Sequence, residues 1–210
     1  MSRRHTAFIT LEGIDGAGKT THLETVAHWI SARGVPFVQT REPGGTPLGE
    51  RIRDLVLGQE MLPDSEALLM FAARSEHLQR VILPALQRGE WVLSDRFSDA
   101  SAAYQGGGRG LGVARIAALE AWTHPGFQPD LTLLFDLPPE VAAQRLQSGR
   151  TDRDRFEQEK IAFFTRVRAA YLERAVAAPE RFCVLDASLP QQAVGVQLLA
   201  ALNGLRDRLA

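Results

Sequence analysis

Residues Gly13-Ile14-Asp15-Gly16-Ala17-Gly18-Lys19-Thr20 spell G-x-x-x-x-G-K-T, the pattern of a phosphate-binding P-loop. An apolar run, Ala7-Phe8-Ile9-Thr10-Leu11, precedes it and reads as a strand. Leu23, Val26, Ala27 and Ile30 follow at helical spacing. Strand, glycine loop and helix in that order restrict the chain to few folds. The glycines let backbone N–H groups close around an anion, and the helix N-terminus adds the positive end of its dipole. Lys19 is then placed to reach the β- and γ-phosphates and Thr20 to ligate Mg²⁺. Gly13, Ile14, Asp15, Gly16, Ala17, Gly18, Lys19 and Thr20 together form the expected ATP-binding set.

The rest of the chain alternates in the same manner. Phe37–Thr40, Trp91–Ser94, Leu131–Asp136 and Phe182–Leu185 read as further strands, with helical patterns between them. The expected fold is therefore α/β, a three-layer P-loop NTPase fold with a mostly parallel sheet of about five strands flanked by helices. No Pro/Gly/Ser-rich or charged stretch divides the 210 residues, so one domain is expected. Leu131–Asp136 is almost wholly apolar, the mark of a strand covered on both faces. Asp64-Ser65-Glu66 is expected to cap a helix whose start, Ala67–Ala73, is apolar all round and so buried on every side or lining a pocket. Gly106-Gly107-Gly108 is expected to be a flexible loop or a close backbone approach.

A formal net charge of −1 gives no electrostatic case for wrapping nucleic acid or coating a membrane. The single Cys183 excludes a disulfide framework and a cysteine metal cluster, and its apolar neighbours suggest a buried strand thiol. Met1–Thr6 lacks the apolar core of a secretion signal, and no apolar run is long enough for a bilayer, so a cytoplasmic protein is expected. The histidines at positions 5, 22, 28, 77 and 124 form no ligand or triad pattern. No Asn-Lys-x-Asp or Thr-Lys-x-Asp segment supports guanine recognition.

Asp95-Arg96 falls at the carboxyl end of a strand, where open α/β sheets bind ligands. Asp95 is placed to hold Mg²⁺, directly or through water, and Arg96 to hold a phosphate. Phe71 and Arg74 share a helical face. Read alone they are a core residue and an ion-pair partner. Beside a phosphate loop they suit a planar, hydrogen-bonding base. Transfer between two anionic nucleotides needs clustered cations, since like unit charges ~4 Å apart repel by about 4 kcal/mol at an effective dielectric near 20. The P-loop contributes only Lys19. Arg96 and the arginines of Arg150-Thr151-Asp152-Arg153-Asp154-Arg155 can add the rest, the latter as a lid at about 149–158 that excludes water.

Several blocks in fixed order resemble bacterial thymidylate kinases. They are Leu11-Glu12-Gly13, Thr40-Arg41-Glu42-Pro43-Gly44-Gly45-Thr46, Leu69-Met70-Phe71-Ala72-Ala73-Arg74, Asp95-Arg96, Ala103–Gly110 and Asp154-Arg155-Phe156-Glu157. The resemblance implies ATP and dTMP as substrates, ADP and dTDP as products, Mg²⁺ as cofactor and a homodimer. It implies dTMP contacts from Asp15, Glu42, Pro43, Phe71, Arg74, Arg96, Ser101, Tyr104 and Gln105. Phe71 would stack on thymine and Arg74 bond its edge. Asp15 would lie near the sugar, Tyr104 would crowd its 2′ position, and Gln105 would sit near the base. Lys19, Asp15, Arg96 and the lid arginines Arg150, Arg153 and Arg155 form the implied catalytic set, with any of the three free to bridge the transferred phosphoryl. The metal ligands are Thr20 and Asp95. Competing readings are a kinase for another nucleoside monophosphate and a P-loop switch with no small-molecule acceptor.

Overall fold

The computed structural model describes residues 6–147, 155–156 and 159–209. Five parallel strands, β1 (Phe8–Glu12), β2 (Phe37–Arg41), β3 (Trp91–Asp95), β4 (Leu131–Asp136) and β5 (Phe182–Asp186), form one sheet in the order β2-β3-β1-β4-β5. Their carboxyl ends all point one way. The chain order reverses beside β1, the position where such sheets open a ligand crevice.

The three layers follow from the strand period of two. Ile9, Leu11 and Leu93 face a cluster with Val26, Trp29 and Ile30 of α1 (Lys19–Ser31) and Leu198 and Leu202 of α9 (Gln191–Leu209). Their neighbours Phe8 and Val92 turn the other way, onto Leu78, Ile82 and Ala85. Every residue of β1 is buried, and burying each large apolar side chain contributes about 1.5–3 kcal/mol. Between these elements lie α2 (Pro47–Gly58), α3 (Pro63–His77), α4 (Leu83–Gln87), α5 (Ser98–Ser101), α6 (Val113–Thr123), α7 (Pro139–Gln147) and α8 (Ile161–Ala177). Thr46 caps α2 by accepting from the Gly49 N–H at 2.9 Å. No helix among the described residues is long and apolar enough to cross a membrane.

Four sequence expectations need correction. Asp64-Ser65-Glu66 does not cap α3. Leu62 stands at the cap, Pro63 takes the first helical position, and Asp64 and Glu66 fall in the first turn. Nor is the start of α3 buried all round, since Leu68 is 56 % exposed and Ala72 also faces solvent, but the alternative, lining a pocket, holds at Met70. Cys183 is only half-buried, because β5 is an edge strand with one open side. The glycine run is helical. Ala102–Gly108 continues α5 as a π-helix packed on α8, and the alternative expectation, close backbone approach, holds. A Cβ on Gly108 would lie 2.5 Å from the Phe163 ring. The i to i+5 bonding and the bare backbone let this segment press against α8 where side chains could not fit.

Candidate functional site

The crevice at the carboxyl end of β1 is walled by the glycine loop. Gly13 has φ +136°, and a Cβ there would lie 2.5 Å from the Phe135 carbonyl oxygen. Only a bare backbone lets the loop leave β1 so close to β4. Lys19 folds back over the loop, donating to the carbonyls of Gly13 and Ile14, each at 2.9 Å, and lying 3.8 Å from Asp15. Burial, reinforced by the Arg96 charge, pushes the Lys19 ammonium down to about 8. Thr20 is exposed at the start of α1.

At the end of β3 the backbone ladder continues past the strand, with Arg96 N–H donating to Leu11 and Glu42 N–H to Asp95. Arg96 sits at φ +72°, an unfavourable left-handed conformation for a side chain of its size. That turn points its guanidinium back into the crevice. Nη2 reaches Asp15 at 2.5 Å and the Tyr104 hydroxyl at 3.1 Å, while Nη1 reaches Gly13 O at 3.1 Å and the Tyr171 hydroxyl at 3.2 Å. Tyr104 donates in turn to Asp15 at 3.0 Å. Burial alone would raise the Asp15 carboxyl, but Arg96, Lys19 and this hydroxyl hold it below the usual range. Behind Arg96, Tyr171 donates to Glu12, which also accepts from the Phe97 N–H at 2.7 Å.

Asp95 Oδ1 is buried with no hydrogen-bond partner. An orphaned carboxylate oxygen and an accessible Thr20 hydroxyl are the oxygen ligands that suit Mg²⁺, which binds one or two protein oxygens and takes the rest from water and phosphate. No cluster of three or more His, Cys, Asp or Glu side chains is arranged for a metal among the described residues, and this mode needs none.

Two cavities meet at Asp15. The first, about 480 Å³ counting its mouth, is lined by the sequence-predicted Asp15, Glu42, Pro43, Arg96, Tyr104 and Gln105, and also by Arg53, Leu57, Met70, Ala100 and Phe156. The second, about 990 Å³ on the same measure, runs from Asp15 between α7 and α8, past Pro139, Ala142, Leu146, Ile161 and Phe164. One carboxylate, flanked by Lys19 and Arg96, therefore stands between two chambers.

Phe71, Arg74 and Ser101 stand outside the first cavity's lining. Arg74 reaches the cavity through Glu42, whose carboxylate accepts from Arg74 Nε at 2.7 Å and from His77 Nδ1 at 2.8 Å. Burial would raise Glu42, and these two partners hold it down. Arg74 Nη2 donates to Phe97 O and Ser101 Oγ, and Nη1 has no partner. The Phe71 ring lies under the Arg74 guanidinium at 4.5 Å and stacks on His124 at 6.3 Å. This is the geometry of the pair read alone: the ring is core, and the guanidinium is an ion-pair partner of Glu42, with Nη1 left over.

Of the lid arginines, Arg150 and Arg153 lie outside the described residues, as does most of the segment 149–158. Arg155 is described, and its Nη2 lies 2.6 Å from Glu66. Sequence reasoning gave Glu66 only a helix-capping role and assigned no site role to Glu12, His77, Tyr171 or the α7–α8 wall. Glu12, Met70 and Phe156 stood inside quoted blocks. Tyr171 and His77 carried no signal, because partners tens of residues away define what they do.

A family model described as "Thymidylate kinase" matches residues 11–197. The thymidylate kinase of Thiobacillus denitrificans is 59 % identical over 198 residues, covering 94 % of this chain and 97 % of that protein. That of Methylobacillus flagellatus is 55 % identical over 192 residues, 91 % and 94 % of the two chains. That of Paraburkholderia phytofirmans is 60 % identical over 185 residues, 86 % and 89 %. The match spans the glycine loop, the strand-end Asp95-Arg96 and both cavities, so the chain belongs to the thymidylate kinase family.

Proposed function

We propose that this protein transfers the γ-phosphoryl group of Mg-ATP to dTMP, giving ADP and dTDP. The observation that carries the reading is the pair of cavities meeting at Asp15 between Lys19 and Arg96. A donor in one and an acceptor in the other would face each other across cations, as in-line transfer requires.

ATP would enter along the α7–α8 cavity with its phosphates on Gly13–Thr20. Lys19 would exchange its two loop carbonyls for phosphate oxygens, and the charge gained would restore its protonation. Arg96 would hold the acceptor phosphate while Tyr104 and Asp15 fix its fork. Asp15 would stand by the sugar, with Tyr104 crowding the 2′ position. Glu42, Pro43, Phe71, Arg74, Ser101 and Gln105 would shape and read the base site. Thr20 and Asp95 would hold Mg²⁺, whose charge offsets that of the phosphates. Arg150, Arg153 and Arg155 would close the lid, adding positive charge and excluding water. We further propose a single domain and a cytoplasmic homodimer. For the dimer, α3 and α6 pack together and bear exposed apolar side chains, with Leu68 56 % and Trp122 82 % exposed.

The test is ADP release with Mg-ATP and each nucleoside monophosphate in turn, for wild type and Arg74→Ala. A strong dTMP preference, cut at least about tenfold in kcat/KM by the substitution, is expected. Equal rates with dTMP, CMP and AMP would point to a broader nucleotide kinase. ATP turnover independent of any acceptor would point to a switch.

A further inference from the structure

Glu66, in the first turn of α3, is fully buried and gathers donors from three segments. Gln105 Nε2 lies 2.7 Å from its Oε1. Arg155 Nη2 lies 2.6 Å from Oε2, and Arg109 Nε lies 3.2 Å from Oε2 and 3.4 Å from Oε1. Carboxylate oxygens so engaged accept hydrogen bonds, so the Gln105 amide must turn its NH₂ toward Glu66. Its carbonyl oxygen is then forced to the other side. That oxygen is buried and has no partner, and Gln105 lines the cavity assigned to the acceptor.

We propose that Glu66 is a positioning residue that sets the base specificity of the acceptor site by fixing which end of the Gln105 amide faces the base; the assignment rests on the dTMP reading above. A fixed acceptor on Gln105 matches the N3–H donor of an imide edge. Thymine and uracil both carry that edge. Cytosine carries its inverse, an acceptor at N3 and a donor at N4, and meets the Gln105 oxygen acceptor against acceptor. A site whose buried polar groups are left unpaired by the wrong ligand discriminates strongly.

Glu66→Gln inverts the pattern. Arg155 and Arg109 donate at the Oε2 position and so hold the new amide oxygen there. The new NH₂ occupies the Oε1 position and faces Gln105, which must turn its own oxygen toward it and its NH₂ toward the base. The donor now presented suits cytosine.

The experiment is kcat/KM for dTMP, dUMP and dCMP with wild type, Glu66→Gln, Arg155→Ala and Gln105→Leu. Glu66→Gln is expected to lower the dTMP:dCMP preference roughly ten- to a hundredfold, with the dTMP:dUMP ratio unchanged because those bases share the edge. Arg155→Ala removes a partner of the same carboxylate without turning the amide, so it should keep the dTMP:dCMP preference. Gln105→Leu removes the acceptor while leaving Glu66 intact. It should lower the same preference even if the Glu66 variant does not fold. Equal losses on all three nucleotides in Glu66→Gln would make Glu66 a structural brace and overturn the proposal, as would an intact dTMP:dCMP preference in Gln105→Leu. A wild type without dTMP preference overturns the dTMP reading itself, and this assignment with it.

Discussion

The Tyr171 hydroxyl donates a 2.7 Å hydrogen bond to Glu12 Oε2, joining α8 to the end of β1 directly behind Arg96. Burial, then the nearby Asp99 charge, raises the Glu12 carboxyl from 4.5 to about 8. A raised carboxyl contributes stability that is full below pH 4.5 and lost as pH rises through 8. Glu12→Gln keeps the shape, an acceptor for Phe97 N–H and a donor toward Tyr171, and removes the titration. Thermal melts of both proteins from about pH 5 to about pH 9 should show wild type losing on the order of several degrees relative to the variant. Parallel curves would mean that Glu12 is ionised throughout.

Lys19 titrates in the opposite sense. Its folded value of about 8 lies below the ordinary 10.5, so the folded protein gains stability as pH rises between those values. Catalysis should move against stability. Neutral Lys19 cannot hold phosphate, so kcat/KM for ATP should fall as pH rises past about 8. Lys19→Met should lower it by on the order of a hundred- to a thousandfold and flatten that limb of the profile. An alkaline limb that survives the substitution would assign it to another group.

The backbone at Arg96 separates strain from function. Its φ of +72° costs roughly 1–2 kcal/mol for any residue with a Cβ. Arg96→Gly and Arg96→Ala both remove the guanidinium and should both lose about a hundred- to a thousandfold in kcat. The Gly variant should melt a few degrees above the Ala variant. Equal melting temperatures would show that the left-handed turn stores no strain.

Gly108 tests the seam between the π-helix and α8. A Cβ there would meet Phe163 at 2.5 Å and Val167 at 2.8 Å. Gly108→Ala should destabilise by about 1–3 kcal/mol, a Tm loss of roughly 2–10 °C. Gly110→Ser, at φ +76° but in open space, should cost only the backbone term, about 1–2 kcal/mol. Circular-dichroism melts decide both.

The strand–loop–helix start, the five strands and the residues at the ends of β1, β2 and β3 were legible because each is a local pattern. Apolar alternation, a glycine loop and a charged pair at a strand end declare themselves within a few residues. The helical glycine run was not legible, since propensity opposes it and only its contact with Phe163, Val167 and Ala170 across α8 outweighs that. The partial exposure of α3 was hidden for a related reason. Ala67–Ala73 looks uniformly apolar, yet only one side of it meets the core.

By itself the sequence determined the fold class, the phosphate loop and the family, because these depend on residue type at short spacing. The tertiary structure decided which residues share a charge. Glu12 meets Tyr171, Glu42 meets Arg74 and His77, and Glu66 meets Gln105, Arg109 and Arg155, across separations of 32 to 159 residues. A buried carboxylate has no fixed partner in sequence. Desolvation requires only that donors be found, and the packing of helices on the sheet determines which donors are within reach.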